Sequence, residues 1–121
     1  MAGQLTISTL SDGTNSTSST NCIQGSAKAW VSYNGVGGAI RASYNVTSVT
    51  KNGTGTYTVN FTNAFADSNY VANIGVAYTG GALLFKGDDA TAPTASAFKF
   101  VILNTSGSVI DANYAYVAFF R

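Results

Sequence analysis

The chain has 121 residues, the size of a single domain, and a chain of this length can bury roughly two-thirds of its unfolded surface. Only 9% of its residues are charged, and the net charge is +1, from six Lys/Arg against five Asp, with no Glu and no His. The missing histidine excludes a Ser-His-Asp triad and a Cys-His pair, the lone Cys22 excludes an internal disulfide, and the scattered cations Lys28, Arg41, Lys51, Lys86, Lys99 and Arg121 offer no cluster for nucleic acid.

Residues 4–10 alternate loosely, with Leu5 and Ile7 on one side, and predict a short strand. The segment Met1-Ala-Gly-Gln-Leu-Thr-Ile-Ser has neither a basic start nor an apolar run, so no secretion signal is expected. No stretch approaches the ~20 apolar residues of a membrane span, so no membrane partner is expected. Residues 11–25 are rich in Ser, Thr, Asn and Gly, with only Cys22 and Ile23 apolar, which is loop or linker composition. Cys22 has no cationic neighbour and reads as a small packed residue. The expected organisation is an N-terminal strand and Ser/Thr/Asn-rich attachment arm over 1–25, followed by one β domain over 26–121.

From residue 27 the pattern becomes that of strands. Ala27–Asn34 alternates, with Ala29, Val31 and Tyr33 on one face and Trp30 on the other. Gly35–Gly38 is a turn, and Ala39–Ser43 and Val46–Lys51 follow as short strands around Tyr44-Asn45. Asn52-Gly53 is a strong hairpin signal. Thr56–Thr62 alternates strictly and turns Tyr57, Val59 and Phe61 inward. Tyr70–Thr79 aligns Tyr70, Ala72, Ile74, Val76 and Tyr78, and Ala97–Asn104 aligns Phe98, Phe100 and Ile102.

Ile110–Phe120 is the longest strand candidate. It carries Tyr114, Tyr116, Ala118 and Phe120 on one face and Ala115, Val117 and Phe119 on the other. A strand apolar on both faces is either central or covered by a neighbouring subunit. The only proline, Pro93, falls between strands. Short strands with turns about every 8–12 residues predict an all-β fold, a single-domain antiparallel β-sandwich of jelly-roll-like kind that oligomerises.

Several residues are candidates for chemistry or binding. Asp88-Asp89 in the Gly-rich connection 79–96 is too little for a Ca²⁺ site and reads as a solvated turn, so no metal or other cofactor is expected. Asp67 and Asp111 have no motif around them, and a glycosidase pair is not expected. Trp30 is expected to anchor the core. The connection 79–96, with Leu83, Leu84 and Phe85, reads either as a recognition loop or as a short edge strand. Tyr33, Tyr78, Phe85, Asp88 and Asp89 are the candidate receptor-binding residues, with host-surface glycan as the ligand. Tyr114, Tyr116, Val117 and Phe119 are the candidates for subunit packing.

One run of motifs goes further. Gln24-Gly-Ser-Ala-Lys-Ala-Trp-Val-Ser-Tyr-Asn-Gly35, Ala42-Ser-Tyr-Asn-Val-Thr-Ser-Val49 and Gly53-Thr-Gly-Thr-Tyr-Thr-Val-Asn-Phe61 occur in this order. Together they resemble a β-rich module of bacteriophage tail-fibre-like and small appendage proteins, over about residues 24–78, with a looser match at Asp111-Ala-Asn-Tyr-Ala-Tyr-Val-Ala118. The resemblance implies a non-enzymatic virion structural protein, assembled in the host cytoplasm and often homotrimeric. Its N-terminal arm would contact other virion proteins. It carries over no catalytic residue. The absence of a shaft, of heptads and of β-helical repeats favours a head-decoration or small appendage subunit over a complete tail fibre. A receptor-binding tip that grips glycan is the alternative.

Overall fold

A computed structural model describes residues 3–88 and 90–121. Its elements are β1 (Thr9–Ser11), β2 (Ser16–Ser18), α1 (Ser19–Gly25), β3 (Ala29–Asn34), β4 (Ala39–Tyr44), β5 (Val46–Gly53), β6 (Thr56–Phe61), β7 (Val71–Ala77), β8 (Leu83–Gly87), β9 (Ala97–Asn104) and β10 (Tyr114–Phe120). Eight of these strands form two four-stranded antiparallel sheets, ordered β4-β3-β10-β7 and β5-β6-β9-β8. The sheets pack face to face, so the fold is the all-β antiparallel sandwich that the alternation predicts.

The core follows directly from the period of two. One sheet turns Ala29, Val31, Tyr33, Ile74, Ala115, Val117 and Phe119 inward; the other supplies Val46, Tyr57, Val59, Phe61, Phe98, Phe100 and Ile102. Phe119 is the hub, with ring centroids 4.8 Å from Phe61, 5.5 Å from Phe98 and 5.6 Å from Tyr70, each contact edge to face. Burying each such side chain contributes about 1.5–3 kcal/mol.

Several local expectations are corrected. The β5–β6 turn falls at Thr54-Gly55, and Gly53 instead pairs with Thr56 beyond a bulge. The reason lies at Gly55, whose φ of +65° suits glycine and where a Cβ would come within 2.6 Å of the Ile102 carbonyl oxygen. In the connection 79–96, the second of the two readings holds, because Leu83–Gly87 form the edge strand β8, paired with β9. The last strand starts at Tyr114 rather than Ile110.

The arm is also more regular than its composition suggests. β1 and β2 form a small hairpin, with the first strand at residues 9–11 rather than 4–10. The helix α1 follows, its start capped by the Ser18 hydroxyl, which accepts from the Asn21 amide at 3.1 Å. None of residues 3–26 is buried.

Candidate interaction face

The sheet β4-β3-β10-β7 has a second, outward face, and its side chains are set by register. Ala118 lies opposite Trp30 on one side and Asn73 on the other; Tyr116 lies opposite Ser32 and Gly75. Tyr44 lies opposite Trp30, and Ala42 opposite Ser32. Directly paired residues share a face, so large rings alternate with small residues across the sheet. The result is a shallow groove between Trp30 and Tyr116, lined also by Ser32, Asn73, Gly75 and Ala118. The Tyr116 ring lies over Gly75, where a Cβ would meet it at 3.7 Å.

This face is open. Trp30 is 41% and Tyr116 43% exposed, and Tyr44, Tyr114 and Val71 are exposed beside them. Tyr114 and Tyr116 stack with centroids 5.9 Å apart and planes at 22°. The four strands contain no carboxylate and a single cation, Arg41. Arg41 is placed by the bulge between Ser32 and Tyr33, which makes it the extra residue of β4. Its guanidinium stands 3.8 Å from the Tyr114 ring centroid and donates to the Asn113 carbonyl at 2.7 Å. It has no carboxylate partner among the described residues.

Three of the described carboxylates serve elsewhere, as braces. Asp67 pairs with Arg121 at 2.6 Å, Asp88 with Lys99 at 2.7 Å and Asp111 with Lys51 at 2.6 Å. Asp111 also accepts from the Gly55 amide at 2.8 Å and from the Tyr57 hydroxyl. Burial pushes its pKa up, but the Gly55 amide, Lys51 and Tyr57 outweigh that and hold the carboxyl below the usual range. The Arg121 guanidinium holds Asp67 at about 2. Asp12 and Asp88 are lowered as well, by backbone amides at residues 14 and 15 and by Lys99 respectively. A general acid at neutral pH needs a raised pKa, and none of these four carboxylates has one.

The candidate receptor-binding residues are not brought together. Tyr33 is 2% exposed and packs edge-on against Tyr57 in the core, so it is corrected from a surface residue to a core one. Tyr78 is half-buried just beyond β7. Phe85 is exposed, on the core-facing side of edge strand β8 opposite Ile102. Asp88 is held by Lys99, and Asp89 lies outside the described residues.

The subunit-packing set divides in two. Tyr114 and Tyr116 are on the open face, whereas Val117 and Phe119 are buried between the sheets and are corrected to core residues. Strand alternation itself forbids the four from sharing one surface. Trp30 is corrected in the other direction, from core anchor to surface ring. Its phase, opposite to Ala29, Val31 and Tyr33, is the sequence signal for that placement. Tyr44, Arg41 and Asn73 were missed because their place on this face depends on pairing between distant strands.

Comparison of the chain with protein-family models, with curated proteins and with solved structures finds no match. Among the described residues no helix is long and apolar enough to cross a membrane.

Proposed function

We propose that this chain is a non-enzymatic structural subunit of a bacteriophage virion, a head-decoration, fibre-like or small appendage protein that works by assembling with its own kind and attaching to the particle. The observation that carries the assembly half is the open aromatic face of Trp30, Tyr44, Tyr114 and Tyr116. Contiguous exposed apolar surface marks an interaction site, because leaving it in water costs free energy that association recovers. The virion half rests on the resemblance carried by Ala27-Lys-Ala-Trp30, Asn45-Val-Thr-Ser-Val49 and the Gly53–Phe61 segment. The arm, with no core of its own, is the second element that needs a partner, a neighbouring copy or the particle.

The test is location. Gold-labelled antibody raised against the chain should decorate purified particles in electron micrographs at regular positions. Signal confined to the lysate of infected cells, with clean particles, overturns the reading.

A further inference from the structure

We infer that the arm of one copy, residues 4–23, seats on the outward face of the β4-β3-β10-β7 sheet of a neighbouring copy, and that this contact repeats head to tail. The inference deepens the reading above and rests on its premise that the chain acts by assembly.

The arm cannot stand alone. Its hairpin has three residues per strand and its helix seven, both below what holds together in water without tertiary packing. Yet Leu5, Ile7, Leu10 and Ile23 are all exposed, Leu5 by 81%, and with Cys22 they line one concavity. Such a surface needs a cover. The aromatic face needs one too. Among the described residues, four exposed large apolar side chains lie on the arm and five on the face (Trp30, Tyr44, Val71, Tyr114, Tyr116), against four everywhere else.

Charge selects the pairing. Residues 3–26 hold one ionisable acid, Asp12, and no Lys or Arg. Asp67, Asp88 and Asp111 each have a cation partner, whereas Asp12 has none among the described residues. The face holds the converse, the cation Arg41 without a carboxylate. Asp12 thus sits on the arm and Arg41 on the face, each without an opposite charge beside it, while Lys28 is held by the Ile23 and Ser26 carbonyls at the base of the arm, so the hairpin of the arm attracts the face while face and face repel.

The chain's own arm does not cover its own face. Lys28 fixes where the arm leaves β3, through its amide to the Phe119 carbonyl at 2.8 Å and its ammonium to the Ser26 carbonyl at 2.9 Å. With the arm in that position Trp30 and Tyr116 stay open. A contact between unlike surfaces is heterologous, and it ends in a ring where the rotation between copies closes and in an open filament where it does not. Each subunit then gives one arm and receives one, covering both surfaces at once.

Crosslinking and charge removal test this on the intact chain. Leu10, two residues before Asp12, shares its concavity with Cys22. Cys22 lines the concavity of the arm and Asn73 the groove of the face, so a seated arm brings the two residues into one interface. Asn73→Cys treated with a short bis-maleimide should yield covalent multimers, lost when Cys22→Ser is added. Asp12→Asn keeps the acceptor for the Thr14 and Asn15 amides, at 2.9 and 2.7 Å, but removes the charge. It and Arg41→Gln should each weaken assembly about fivefold by light scattering, with the double variant no weaker than either.

A crosslink within single chains overturns the inference, since the arm would then fold onto its own face. So does assembly indifferent to both charge variants and without crosslinks, although the assembly reading itself would survive that result. Saturable binding of a neutral polysaccharide by a monomeric chain, abolished by Trp30→Ala, overturns it in favour of a glycan site. Particle labelling remains independent of all three outcomes.

Discussion

Phe119 and Tyr116 stand three residues apart on β10 and face opposite media. Phe119 is fully covered and touches four rings, so Phe119→Ala removes both its burial and the packing around it, at about 3–5 kcal/mol. Against a domain stability of about 5–15 kcal/mol, that is a large share. Tyr116→Ala leaves the core untouched and should change stability by less than about 1 kcal/mol while weakening self-association. Urea unfolding read beside light scattering separates the two effects. A Phe119→Ala chain that unfolds normally but fails to assemble would reverse the assignment. These two residues also mark what the sequence could and could not disclose. Alternation turned Tyr57, Val59 and Phe61 inward correctly, because Thr58, Asn60 and Thr62 between them are polar, and it put Phe98, Phe100 and Ile102 on one face, although Val101 and Leu103 leave the other face of β9 partly apolar too. On β10 both faces are apolar, and periodicity alone does not say which of them meets the chain's own second sheet.

At the scale of elements, the passage from β4 to β5, where the chain leaves one sheet for the other, depends on Asn45. It has a φ of 54°, a conformation that Asn tolerates better than most residues. Its amide donates to the Lys28 and Asn63 carbonyls, both at 3.1 Å, and its oxygen accepts from the Asn63 amide at 2.8 Å. One side chain therefore ties the start of β3 and the end of β6 to the corner. Asn45→Ala loses all three bonds and strains the backbone, and should cost about 2–4 kcal/mol. Asn45→Gly loses the bonds but accepts the dihedral, and should cost less. Chemical denaturation giving the opposite order would refute this account of the corner. Tyr44-Asn45 was readable as a break between strands, but its role needs Lys28 and Asn63, which only the fold brings near. The same limit applies to the arm. A seven-residue helix is too short for a helical period to emerge from Ser, Thr and Asn, so only the cap at Ser18 could have signalled it.

For the molecule as a whole, the distribution of ionisable groups dictates how stability follows pH. The chain has no histidine, so no group of that type titrates near neutrality. Asp12, Asp67, Asp88 and Asp111 all have folded pKa values below the ordinary carboxylate value near 3.9. On acidification the unfolded chain takes up protons first, so the stability these groups lend is present above that value and is lost as pH falls towards the folded values, Asp67 last at about 2. The alkaline side mirrors this. Burial raises Tyr33, Tyr57 and Tyr70, with Tyr57 raised further by Asp111 and Tyr70 pushed up to about 12. Above the ordinary tyrosine value near 10 the unfolded chain loses protons that the folded core retains, and stability falls again. Melting temperature followed by circular dichroism should therefore trace a plateau between about pH 5 and 9, with a decline on each side. Asp67→Asn should move part of the acid decline out of the profile without touching the alkaline one, because the Arg121 pair is remote in charge from the buried tyrosines. Tyr70→Phe should do the reverse. A single pH midpoint shifted by both variants together would mean that the braces and the aromatic core do not act as separate parts of this sandwich.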